Sequence, residues 1–166
     1  MTRQQKSQAD DLSGLAHKNA RKIGLISDTH GLLREEALRA LLGSGLIIHA
    51  GDVGDPNILQ QLREIAPVVA VRGNVDTEEW ARTLPKTAVV EVGRLHIYVL
   101  HDVNALDLVP SAAGFHLVVS GHSHKPGRSD KNGVAYINPG SAGPRRFHLP
   151  ITVALLNVGV TPWTLE

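Results

Sequence analysis

Lys22-Ile23-Gly24-Leu25-Ile26-Ser27-Asp28-Thr29-His30-Gly31 is an apolar run that stops abruptly at residues able to hold a cation. Ile23 to Ser27 reads as a buried strand. The stretch after it reads as a helix from Arg34 to Leu42, with Leu38, Leu41 and Leu42 on one face and Gly43 and Gly45 ending it. Leu46 to Ala50 is a second apolar run. Pro56 to Ile65 is a second helix, with Pro56 in its first turn and Ile58, Leu59, Leu62 and Ile65 periodic. Pro67 to Val71 is a third strand. The order βαβαβ predicts a parallel sheet with right-handed crossovers.

Further along the chain the pattern turns to strands. Ala88 to Val92 and Leu95 to Leu100 flank Gly93 and Arg94, a hairpin signal. Ala105 to Ala113 reads as a short helix. Leu117 to Ser120, Val134 to Ile137 and Ile151 to Val158 are further strands. A β-rich second half predicts two sheets packed face to face with helices outside.

Five of these strands end in residues that ligate metals. The first runs into Asp28-Thr29-His30, the second into His49-Ala50-Gly51-Asp52 and the third into Arg72-Gly73-Asn74. Two later ones end at His101 and at Gly121-His122-Ser123-His124. Ligands of open α/β sheets bind outside the carboxyl ends of the strands, so these donors are expected along one edge. Asp28 and His30 are two apart, as are His122 and His124, and in extended chain each pair points to one side. Glycines 31, 51, 73 and 121 let the backbone turn beside the ions. Asp52 has two oxygens with which to bridge two cations, and Asn74 offers a neutral carbonyl oxygen. A single Asp-x-His pair is weak evidence of a metal; five such elements in order are not.

The bulk composition agrees. The chain has 166 residues, 42% hydrophobic and 20% charged, the size of one domain. It has no cysteine, so any metal rests on His, Asp, Glu or Asn. The formal charge of +1 gives no strong nucleic-acid footprint, and no apolar run approaches a membrane span. Residues 1–20 are polar, lack the apolar region of a signal peptide and are expected to be a flexible extension, which makes the cytoplasm the default location. No Gly-Lys-Ser/Thr follows the glycine-rich turns, so they form no P-loop.

The ordered set Asp28-x-His30, Gly51-Asp52, Gly73-Asn74, His101 and Gly121-His122-x-His124 resembles the calcineurin-like metallophosphoesterase superfamily. The compact size and Asn138-Pro139-Gly140-Ser141 look like its small YfcE-type phosphodiesterase branch. The resemblance implies a four-layer α/β/β/α sandwich of two mixed sheets over residues 21–166. It implies one metal on Asp28, His30, Asp52 and His124 and a second on Asp52, Asn74, His101 and His122, with Asp52 bridging. Asp52, Asn74 and His101 are then the catalytic residues, and the reaction is hydrolysis of a small phosphodiester by a hydroxide supplied at the dinuclear centre. Histidine-rich ligation favours transition ions over magnesium or calcium: manganese first, with iron, nickel, cobalt or zinc as alternatives. Arg145, Arg146 and His148 are candidate substrate contacts, since arginine forks suit phosphate. Oligomeric state is left open, a homo-oligomer included.

Two departures stand out. Many relatives place a His after Gly-Asn to protonate the leaving group; here Val75 and then Asp76 follow. Where the family often shows His-Gly-His, this chain has His101-Asp102-Val103. The rival readings are a phosphomonoesterase of the same superfamily and a protein-binding scaffold, as in the retromer subunit of this fold. His49 is expected either to orient a ligand or to sit in the core, and Asp55 to be a helix-start acid or a surface charge. His96 and His116 are expected to be structural or exposed.

Overall fold

The computed structural model describes residues 19–166; the extension expected at the amino terminus lies, but for Asn19 and Ala20, outside the described residues. In chain order the elements are β1 (Lys22–Ile26), α1 (Glu35–Leu41), β2 (Leu46–His49), α2 (Pro56–Arg63), β3 (Val68–Ala70) and a 3₁₀ turn, Glu79–Thr83. There follow β4 (Thr87–Val92), β5 (Leu95–Leu100), a second 3₁₀ turn, Val103–Ala105, β6 (Leu117–Val119), β7 (Gly127–Lys131), β8 (Val134–Asn138), β9 (Ala154–Asn157) and β10 (Thr164–Leu165). They form two five-stranded mixed sheets, ordered β10-β9-β1-β2-β3 and β4-β5-β6-β8-β7. The parallel β1–β2–β3 unit expected from the first half is present.

The period-two alternation of each strand divides its side chains between two cores. Ile23, Leu25, Leu46 and Ile48 from the first sheet meet Val90, Ile97, Val99, Leu117, Val119 and Ile137 from the second. On the other face of the first sheet, Ile26 and Ile47 pack against Leu41, Ile58, Leu59 and Leu62 of the two helices. Gly24 sits on that face because a Cβ there would stand 2.5 Å from Leu41 Cδ2. The outer face of the second sheet, Tyr98, Leu100, Val118 and Val134, is covered by Leu106, Leu108 and Phe115.

This completes the sandwich, with corrections. The helix expected over 105–113 is absent: a 3₁₀ turn ends at Ala105, and the rest is irregular. Pro110 has no N–H to give to a helical ladder and locks its own φ. Leu106 and Leu108, two apart, reach the sheet from extended chain instead. Leu42 is also corrected, being 59% exposed; α1 buries Ala37 and Leu41, with Leu38 packed against the same cluster. Asp55 is the acid at the start of α2, its carboxylate accepting the N–H of Asn57 at 2.8 Å. Strand β7 was not expected, because Gly-Arg-Ser-Asp-Lys carries no apolar alternation; it is a wholly exposed edge strand. Among the described residues no helix is long and apolar enough to cross a membrane.

Candidate metal centre

The loops that follow β1, β2, β3, β5 and β6 converge at one edge of the sandwich. Asp28 donates its N–H to Gly51 O at 3.0 Å and His30 donates to Asp52 O at 2.9 Å, so the first two loops run side by side. Gly121 donates to His101 O at 2.9 Å, which does the same for the second sheet. The sheets are tied together where His122 N–H donates to Asp28 Oδ2 at 3.1 Å.

The chain is not extended through the two-apart pairs. Asp28, His30, Asp52, His122 and His124 have φ of 54°, 47°, 55°, 68° and 59°, all left-handed. Residues with a Cβ adopt this region at a cost, and such outliers cluster at functional sites. The side chains therefore converge through a series of sharp turns, not through strand alternation. Gly73 and Gly121 serve a purpose other than positive φ: a Cβ on Gly73 would overlap Asp52, and one on Gly121 would overlap Ser27 Oγ.

All seven expected side chains come together. Nε2 of His30 lies 3.2 Å from Nε2 of His124, and these lie 3.9 and 3.3 Å from Asp28 Oδ1. His30 Nε2 is 3.7 Å from Asp52 Oδ2. On the other side of Asp52, the same Oδ2 is 3.2 Å from His101 Nε2. Asn74 Oδ1 lies 3.0 Å from His101 Nε2 and 3.1 Å from His122 Nδ1. Asp52 thus faces both groups with one oxygen; its other oxygen accepts the Val75 N–H at 3.0 Å.

The chemistry of this donor set fits cations. His101 Nδ1 is 2.8 Å from Ala50 O, an acceptor, so that nitrogen carries a hydrogen, and in the neutral ring Nε2 presents a lone pair. That lone pair faces two oxygen acceptors, Asp52 Oδ2 and Asn74 Oδ1. Lone pairs aimed at one another repel unless a proton or a cation lies among them. Asp28 Oδ1, between the two imidazoles of the first group, is buried with no hydrogen-bond partner. A carboxylate oxygen stranded in this way is costly without a compensating positive charge. Nitrogen and carboxylate donors of this kind suit divalent transition ions.

The electrostatics of the bare cluster follow. Burial raises the Asp28 carboxyl above its usual range, although hydrogen bonding with Ser27 opposes this. Burial also pulls on Asp52, but hydrogen bonds from His101 and Val75 outweigh it and hold that carboxyl below the usual range. His101 loses to burial and gains more from Asp52 and Ala50 O, so its ring is raised. His124 is lowered, chiefly by burial, with Arg146 among the contributors. Of the two carboxylates in the cluster, Asp52 is the one held below the usual range.

The residues around the cluster divide by function. His49 is fully buried and, among the described residues, makes no hydrogen bond to a ligand side chain. Its Nδ1 accepts Gly51 N–H at 3.2 Å, and its Nε2 is 3.0 Å from Thr29 Oγ1, which donates to Val53 O at 2.9 Å. It therefore pins the β1 and β2 loops to each other, and burial drives its pKa down to about 4. Asp76, which follows Val75, is buried. It accepts three backbone N–H groups, from Val53, Gly54 and Gly73, at 3.1, 2.9 and 2.9 Å. It clamps the loop that carries Asp52 to the loop that carries Asn74; nothing in the sequence beyond its place two residues after Asn74 signals this. Asn138 and Ser141 brace the remaining loops, through Asn138 Nδ2 to Gly121 O at 2.8 Å and Ser141 Oγ to Asp28 O at 2.9 Å. Arg145, Arg146 and His148 are exposed on the turn after Gly143, with Arg146 close enough to act on His124. His96 and His116 lie well away, ring against ring, their centroids 5.6 Å apart.

Two cavities adjoin the centre, of about 350 and about 420 Å³, and both reach His122 and Asp102. One also reaches Asn74 and His101; the other lies beyond His122 toward Lys125 and Tyr136.

A metal-ligand edge on a two-sheet sandwich defines a class of metallohydrolase folds, and comparison with known proteins names the family. Residues 22–160 match the profile of the calcineurin-like phosphoesterase superfamily domain. A probable metallophosphoesterase of Methanocaldococcus jannaschii is 37% identical over 132 residues, 72% of this chain and 67% of the relative. The chain belongs to the calcineurin-like phosphoesterase superfamily.

Solved structures agree on the fold. An archaeal phosphodiesterase superposes with a TM-score of 0.71 at 23% identity, covering 87% of this chain and 98% of that one. Vps29 of Chaetomium thermophilum gives 0.73 at 24% identity, with 87% and 85% covered. The phosphoesterase YfcE of E. coli gives 0.65 at 24% identity, with 81% and 87% covered.

Proposed function

We propose that the chain is a metal-dependent phosphodiesterase that works with two divalent transition ions, manganese first among them. The observation that carries the reading is the seven-residue acceptor cluster, in which Asp52 Oδ2 faces both His30 and His101. One ion would be held by Asp28, His30, Asp52 and His124, the other by Asp52, Asn74, His101 and His122. When bound, such ions supply Lewis acidity, which makes water more acidic and offsets charge on a phosphoryl group. The chain's own residues set the geometry. Asp76 fixes the distance between the Asp52 and Asn74 loops, His49 fixes the Asp28–His30 loop against that of Asp52, and the Ala50 carbonyl sets the tautomer of His101.

Diesters are favoured over monoesters by the two cavities that diverge from His122, one for each arm of the phosphorus centre. Phosphodiesterases are among the similar proteins, which supports the same reading. Arg146, on the exposed turn near His124, is the first candidate for contact with a phosphoryl oxygen, with Arg145 and His148 beside it.

The test is to strip the protein of metal, reload it with manganese and compare bis(p-nitrophenyl) phosphate with p-nitrophenyl phosphate. The diester should give the higher kcat/KM, by tenfold or more. Preference for the monoester would establish the phosphomonoesterase reading, and turnover of neither would sink both.

A further inference from the structure

The two cavities beside the centre differ in kind. The one that reaches Asn74 and His101 is floored by Tyr98 and Leu100. The one beyond His122 lies between the outer face of β7 and β8 and the Val103–Ala105 turn, and its wall is the more polar of the two. Several polar groups of this second wall are already committed. Arg128 is held in a two-pronged pair with Asp130, at 2.9 and 2.8 Å, and lies over the Trp163 ring. Asn138 Nδ2 donates to Gly121 O and Ser123 Oγ. Asp102 Oδ1 accepts two bonds from Asn104, while Oδ2 is 3.8 Å from His122 Nε2.

Besides the buried Ser120 Oγ, four side-chain groups remain. Lys125 Nζ, Tyr136 Oη, Ser129 Oγ and Asn104 Oδ1 line the cavity and make no hydrogen bond or ion pair among the described residues. One is a cation, two are hydroxyls that both donate and accept, and one is a bare acceptor. No free carboxylate and no free guanidinium fork stand among them. A second phosphate would call for a fork or a cluster of cations. An aryl or alkyl arm would displace water from all four groups and satisfy none. A ring or chain bearing several hydroxyls matches a wall of this composition, since each hydroxyl can accept from Lys125 or donate to Asn104.

We propose that this cavity is the subsite for a hydroxyl-rich arm, a sugar or polyol, of the phosphodiester. The proposal rests on the diester reading above and specifies which substrates that reaction takes. The cavity volume, about 350 Å³, lies in the range of ligand sites. Three of the four residues are exposed, so water competes and the discrimination is modest, roughly tenfold.

Two diesters with the same p-nitrophenyl leaving group test it, one carrying glucose through its 6-oxygen and the other carrying cyclohexylmethyl, which has the same shape without hydroxyls. With the manganese-loaded protein, the glucose diester should have the higher kcat/KM by about tenfold. Tyr136→Phe, which keeps the ring, should narrow that ratio, and the Lys125→Ala, Tyr136→Phe pair should bring it close to one. A ratio near one in the unaltered protein, or one that the pair of substitutions leaves unchanged, overturns the proposal. Calorimetry with glucose 6-phosphate and cyclohexylmethyl phosphate keeps the two readings distinct. If neither diester is turned over, the diester reading falls; tighter binding of the sugar phosphate, lost in the double variant, still supports the subsite, and equal binding refutes it.

Discussion

Single residues decide the chemistry at this edge. Asp52 is the clearest case, because one of its oxygens faces both halves of the cluster while the other is held by Val75 N–H. Asp52→Asn removes the shared negative charge, and occupancy and turnover should both fall by 100-fold or more, beyond the 10–100-fold typical of losses one step further from the metal. Metal analysis and assay of one preparation read both, and near-normal turnover would refute the bridging role. Val75 bears on the leaving group. Its side chain is 42% exposed and has no proton to give, and Asp76 is fully engaged with backbone N–H groups. General acid help is typically worth 10²–10⁴-fold. A series of diesters with graded leaving-group pKa should therefore show rates that fall steeply as that pKa rises; a flat dependence, with chemistry rate-limiting, would reveal another acid. His49 makes a prediction about pH. Its pKa is about 4 in the fold against 6.5 in the open chain. At pH 7 neither state holds the proton. Between 6.5 and about 4 the unfolded chain takes up a proton that the fold refuses, so stability falls as pH falls, by at most roughly 3 kcal/mol. Urea unfolding of metal-free protein at pH 7 and 4.5 should show His49→Gln less stable at pH 7 but losing less between the two. A parallel loss in both proteins would contradict the assignment.

At the scale of elements, the legible parts were those with a strong apolar period. The strand from Ile23, the helix from Pro56 and the hairpin around Gly93 were plain because burial on one or both faces dictates their composition. The region after His101 was misread because Ala, Leu and Val in 105–113 suit a helix locally, and Pro110 decides otherwise. Strand β7 has no apolar residue to betray it, but Asn132-Gly133, with φ of 53° and 76°, is a tight hairpin signal that the sequence did contain. Which residues would meet at this edge was legible in their order along the chain. Their left-handed backbone was not, because the cost of such turns is met by tertiary bonds such as those of Asp76. Asp76→Ala would leave three N–H groups without their acceptor, at about 1–3 kcal/mol each if they stay buried. The expected result is a protein several kcal/mol less stable whose metal affinity is 10–100-fold weaker, read by thermal unfolding and a metal titration. Unchanged affinity in a folded variant would reduce Asp76 to a stability residue.

At the scale of the molecule, the two sheets exist to bring five strand ends to one edge. The first half of the chain supplies Asp28, His30, Asp52 and Asn74 from one sheet, and the second supplies His101, His122 and His124 from the other. An ion shared across that seam would link the sheets as well as serve the proposed reaction. Loading metal should raise the unfolding temperature by several degrees, as expected for a ligand well above its dissociation constant, and a chelator should reverse it. The most direct measurement is a titration of metal-stripped protein with manganese, following bound ions per chain and hydrolysis of bis(p-nitrophenyl) phosphate in the same samples. We expect occupancy to approach two ions per chain and turnover to rise as the second ion binds. Turnover without bound metal, or two bound ions with no turnover of the diester, would contradict the function proposed here.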